Sequence, residues 1–116
     1  MGLVSVIAKV SGPAGSAELE FLVDSGATYS LLPEAIWKKI GLKPKREMSF
    51  SLADGSSMMR RISECLFEFE DNESHTPVIL GEGSDVALLG VVTLENMGLI
   101  LNPFKRQLQP MKMVMA

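Results

Sequence analysis

Only one cysteine, Cys65, and one histidine, His75, occur among the 116 residues. A lone cysteine cannot close an intramolecular disulfide, which fits a reducing compartment. One thiol and one imidazole also provide no metal-ligand cluster, so neither a metal nor any other cofactor is expected. Cys65 precedes Leu66 on an apolar, β-rich stretch and reads as a buried or half-buried thiol. His75 lies in the polar run with Asn72 and Glu73 and reads as part of a solvated turn. A basic excess is missing too: 11 Lys and Arg stand against 14 Asp and Glu, for a net charge of −3. That balance argues against a nucleic-acid partner. The short basic clusters Lys43, Lys45, Arg46 and Arg60, Arg61 read as turns or strand edges. No apolar run approaches the ~20 residues that span a bilayer, and the N-terminus lacks the pattern of a secretory leader. The expectation is a soluble cytoplasmic protein with no membrane partner.

The chain has the length of one domain and is too short for two lobes with separate cores. At 47% hydrophobic residues it is slightly apolar for its size. A small domain of this kind has more apolar surface than it can bury alone, which favours self-association.

Turn signals divide the sequence into short β-rich pieces. Leu3–Val10 and Ala17–Val23 flank the turn cluster Ser11–Ser16 and predict a hairpin. Pro33–Ile40 predicts a short helix, with proline at its start, lysines near its end and Gly41 as its stop. Met48–Ala53 and Met58–Glu70 flank Asp54-Gly55, a strong hairpin signal. Thr76–Leu80, Val86–Leu89 and Leu99–Leu101 predict further strands, and Thr93–Met97 about one helical turn. Met111, Met113 and Met115 read as a tail. Many short strands with two short helices indicate a mostly-β, barrel-like domain.

The segment Phe21-Leu22-Val23-Asp24-Ser25-Gly26-Ala27-Thr28 places a carboxylate after an apolar strand, at a turn of small residues. Asp-Ser-Gly alone also describes an ordinary Asx-type turn. In its surroundings, the segment resembles the active-site loop of the aspartic peptidases related to retroviral proteases, which reads Asp-Thr/Ser-Gly-Ala. Downstream, that family places two apolar residues and a glycine that lead into a short helix; here Leu88-Leu89-Gly90 precedes Val91–Met97. Between the two, the family has a hairpin flap, and Ala53-Asp54-Gly55-Ser56 stands at the matching place. Gly98–Leu101 looks like the strand that ends the fold in bacterial and organellar members. The resemblance runs from about Glu20 to Leu108. The chain departs from viral members in its helix around Trp37 and in lacking a glycine-rich flap tip.

The resemblance implies a retropepsin-like closed barrel with a flap hairpin, formed by a core of residues 3–108 with a tail over 109–116. It implies that Asp24 is catalytic, that Ser25, Gly26, Ala27 and Thr28 support the loop, and that Leu88, Leu89 and Gly90 pack under it. Ala53, Asp54, Gly55 and Ser56 would bind substrate. This chemistry uses two carboxylates sharing one proton, and the sequence holds one such motif. A second Asp24 would come from another copy on a two-fold axis. The expected activity is that of a homodimeric aspartic endopeptidase. The alternative is a dimeric module of the same fold that holds a peptide without cleaving it.

Overall fold

A computed structural model describes residues 3–112, 114 and 115. Strand β1 (Ser5–Gly12) and strand β2 (Gly15–Val23) form an antiparallel hairpin closed by Pro13 and Ala14. The expected six-residue turn is thus only two residues long, because Ser11, Gly12, Gly15 and Ser16 all remain in the ladder. Strand β3 (Ser30–Leu32) follows the Asp24 loop and is buried throughout. Helix α1 (Glu34–Lys39) starts behind Pro33, carries Glu34 in its first turn and ends in Lys38 and Lys39, which suits the helix dipole. Its buried face presents Trp37, whose indole N–H donates to the Gly81 carbonyl at 2.9 Å.

Strand β4 (Arg46–Ser51) and strand β5 (Ser57–Phe69) form the second hairpin, with β5 continuing against strand β6 (Asn72–Leu80). Strand β7 (Leu88–Leu89), helix α2 (Val91–Asn96), strand β8 (Leu99–Asn102) and strand β9 (Gln107–Pro110) complete the chain. The sheet order is β1-β2-β7-β3-β6-β5-β4, and β1 also pairs with β5. Strands β1, β2, β7, β3, β6 and β5 therefore close a hydrogen-bonded ring, with β4 outside it. The ring is lined by Val10, Phe21, Leu32, Phe67, Val78, Leu80 and Leu89, all fully buried. Phe21 and Phe67 pack with their rings 5.1 Å apart.

Three differences from the sequence expectations stand out. Strand β3 was not anticipated: three residues beginning with a serine are too short to show a period. Strand β6 begins at Asn72 rather than Thr76, because the chain reverses at Glu70 and Asp71, with Glu70 at φ +53°. Strand β9 takes Gln109 and Pro110 from the expected tail, and the Met111 N–H donates to the Gly98 carbonyl at 2.7 Å. Met113 lies outside the described residues.

Candidate active site

Asp24 is the first residue beyond β2. The parallel pairing of β2 with β7 aligns Leu22 with Leu88 and Val23 with Leu89. The Asp24 N–H then donates to the Leu89 carbonyl at 3.0 Å, which fixes the backbone of the carboxylate on β7. Its Oδ1 accepts the Gly26 N–H at 2.9 Å, and the Ala27 N–H donates to the Asp24 carbonyl at 3.1 Å. These bonds make a compact Asx turn in which Ser25 and Gly26 are exposed and Asp24 is half-buried.

The loop rests on the start of α2. Val91 N–H donates to the Ala27 carbonyl at 2.9 Å and Val92 N–H to the Thr28 carbonyl at 3.0 Å. Gly90 lies between them, and a Cβ there would stand 2.6 Å from the Tyr29 carbonyl carbon. Only glycine permits so close a backbone approach. Below this junction runs a chain of buried hydroxyls. Ser30 Oγ accepts the Gly90 N–H at 2.9 Å and lies 2.6 Å from Thr93 Oγ1, which is 3.0 Å from Thr76 Oγ1. The structure thus brings Asp24 to Thr28 together with Leu88 to Gly90. Sequence reasoning missed Ser30, Thr76 and Thr93, because residues so far apart carry no spacing signal.

Ala53, Asp54, Gly55 and Ser56 form the β4–β5 turn. Leu52 N–H donates to the Ser56 carbonyl at 2.8 Å, and Gly55 adopts φ +88°, a conformation that suits glycine. The Ser56 hydroxyl and amide both donate to Asp54 and hold its carboxyl below the usual carboxylate range. Residues 51–59 are all exposed, so the hairpin tip projects into solvent.

Ser25 also borders an apolar groove of about 520 Å³, formed with Val91, Leu94, Leu99, Leu101 and Met111. A larger cavity of about 650 Å³ lies elsewhere, over Gly12, Leu42, Cys65 and His75, and touches none of the candidate residues. Burial pushes the Cys65 thiol up to about 12, which leaves it protonated and unreactive at neutral pH. Among the described residues no group of three His, Cys, Asp or Glu side chains is placed to hold a metal ion, and no helix is long and apolar enough to cross a membrane.

A family model described as "gag-polyprotein putative aspartyl protease" matches residues 11–96, most of the chain and all of the Asp24 and Leu88–Gly90 segments. The chain belongs to this retroviral-type aspartyl protease family. The fold agrees: the structure of EIAV protease complexed with the inhibitor HBY-793 is similar over 98% of this chain and 94% of that one, with a TM-score of 0.64 at 16% identity. No curated protein matches the chain. Within this aspartyl protease fold, β2, β7 and the head of α2 converge on Asp24, while β4 and β5 form the projecting hairpin.

Proposed function

We propose that the chain is an aspartic endopeptidase whose active unit is a homodimer, with Asp24 of each copy facing the other across a two-fold axis. The observation that carries this reading is the Asp24 turn itself. A carboxylate at the end of a rigid strand is locked by Leu89 and Gly26 in a family of aspartyl proteases, and each chain supplies one such turn. Two carboxylates brought together cannot both ionise easily, so the pair holds one shared proton. The ionised member takes a proton from a water molecule, whose oxygen attacks the scissile carbonyl carbon. The protonated member donates to the carbonyl oxygen. The resulting tetrahedral diol collapses with cleavage of the C–N bond and proton transfer to the leaving amine.

The apolar groove beside Ser25 supports self-association, because it adjoins the Asp24 turn and is lined by α2 and β8. An extended peptide would lie between the two Asp24 turns and the β4–β5 hairpins, which serve as flaps. Backbone hydrogen bonds would hold it and alternate side chains would enter pockets. The proteolytic setting is cytoplasmic in this reading.

The test is peptide cleavage over a dilution series, beside the mass measured by sedimentation. Specific activity should rise with concentration until the dimer saturates. Asp24→Asn should abolish cleavage while leaving the mass and unfolding midpoint nearly unchanged, because the amide keeps the shape but cannot act as the base. Full activity per chain in a monomeric sample, or turnover by Asp24→Asn, would refute the proposal.

A further inference from the structure

The β4–β5 hairpin stands outside the closed ring. Among the described residues, strand β5 pairs only with β4 from Ser57 to Arg61, and β4 has no sheet neighbour except β5. The hairpin is therefore a cantilever whose position depends on side-chain ties. On the β5 arm, Arg60 reaches Asp85 and Glu82 in the loop before β7, and the Arg61 guanidinium lies 5.5 Å from the centre of the Trp37 ring. On the β4 arm the tie comes from the Asp24 loop. Tyr29 has its backbone pressed against Gly90, and its side chain extends to β4. Its ring meets Phe50 edge-on, with centroids 6.1 Å apart at 72°. Its hydroxyl accepts a hydrogen bond from the Arg46 guanidinium at 3.3 Å. Arg46, Met48 and Phe50 share one face of β4 by strand alternation.

We propose that Tyr29 is a positioning residue that ties the flap arm β4 to the Asp24 loop and sets how far the flap stands from the carboxylate. The proposal rests on the reading of this hairpin as a flap. Tyr29 is held by Gly90 at one end and holds Arg46 and Phe50 at the other, so flap and carboxylate share one mechanical reference. Admission of a peptide then requires the edge contact with Phe50 to slide or break, and closure restores it.

The test uses ¹³C-methyl methionine relaxation dispersion on the full chain, a measurement of microsecond-to-millisecond motion. Met48 lies between Arg46 and Phe50 and reports the arm, while Met97, buried in the core, is the control. Tyr29→Leu should increase exchange broadening at Met48 and leave Met97 unchanged. Tyr29→Phe, which keeps the ring, should restore most of the native behaviour. Arg46→Gln should match Tyr29→Phe, and the two combined should add nothing further, since they break the same hydrogen bond. With a peptide substrate, Tyr29→Leu should raise KM at least about fivefold, the low end for the loss of one aromatic edge contact plus one hydrogen bond. It should change kcat much less, because Tyr29 touches β4 and not the carboxylate or the reacting atoms.

Equal broadening at Met48 in Tyr29→Leu and the native protein, or equal increases at Met48 and Met97, would overturn the tie. If Tyr29→Leu does not fold, Tyr29→Phe and Arg46→Gln decide: small, matching, non-additive increases at Met48, the remainder of lost restraint that the retained ring does not supply, support the proposal, and unequal, additive or wholly absent ones refute it. Absence of cleavage by the native protein would refute the peptidase reading alone, since the methyl measurement requires no turnover.

Discussion

Replacing Thr93 by valine removes one oxygen from the buried hydroxyl chain and leaves the side-chain shape almost unchanged. Thr93 Oγ1 is 2.6 Å from Ser30 Oγ and 3.0 Å from Thr76 Oγ1. Ser30 and Thr93 are 0% exposed and Thr76 is 1%, so solvent cannot replace the missing partner without a structural change. In the variant, Ser30 keeps the Gly90 N–H but loses its hydroxyl partner, and Thr76 Oγ1 loses Thr93. A buried polar group left unpaired costs about 1–3 kcal/mol. Two hydroxyls affected together put the loss at about 2–6 kcal/mol, a large share of the ~5–15 kcal/mol that holds an ordinary domain together. The assay is urea unfolding at fixed protomer concentration, because association with a partner copy would shift the midpoint by mass action. The double variant Thr76→Val with Thr93→Val should lose less than the sum of the two singles, since it removes both members of one pair. A Thr93→Val protein within about 0.5 kcal/mol of the native one, the range of an ordinary surface substitution, would refute the reasoning. Strict additivity in the double variant would do the same.

Gly90→Ala forces a methyl to within 2.6 Å of the Tyr29 backbone, which must move. Overpacking of this kind costs about 1–3 kcal/mol, and the displaced Asp24 loop should lower peptide cleavage more than unfolding explains; an active, native-like variant by both assays would contradict this. Asp85 provides a pH signature. The Glu82 N–H first, and the Arg60 guanidinium after it, hold its carboxyl below the usual carboxylate range. Its contribution is therefore present above an ordinary carboxylate pKa, near 4, and is lost as pH falls through the lower folded value. Asp85→Asn should be less stable than the native protein at pH 7, and the gap should close in acid. A gap of constant size from pH 7 to pH 3 would exclude this role.

Much of the candidate site's geometry was legible because its parts are written locally. The apolar run ending at Asp24, the small residues after it and the Leu88-Leu89-Gly90 step each mark a strand meeting a tight turn, and they meet through the β2–β7 pairing. Asp54-Gly55 marked its hairpin for the same reason, since the turn conformation is a property of those residues. Helix α1 was signalled by Pro33 and Gly41 at its two ends. What escaped depends on tertiary context. Strand β3 is extended because β6 and β7 lie on either side of it, and its three residues cannot announce that by themselves. Strand β9 alternates weakly, with Gln107 and Gln109 beside Leu108 and Pro110, and becomes a strand only because β8 offers its edge. The Tyr29–Phe50 contact and the Ser30–Thr93–Thr76 hydroxyls join residues whose polar or aromatic character fits many other settings.

The pairing of Asp24 with β7 also sets a timetable. The Gly90 to Ser30 hydrogen bond spans 60 residues and the Ser30 to Thr93 bond spans 63. Contacts so distant in sequence form only after the intervening chain has been ordered or looped at an entropic cost, and they slow folding. During synthesis the β1–β2 hairpin can form early from neighbouring residues. The Asp24 amide must wait for Leu89 to emerge, and the turn loses its floor without the head of α2. A ribosome-bound chain that has yet to release β7 thus carries the carboxylate without the backbone partner and the helix head that hold it in place.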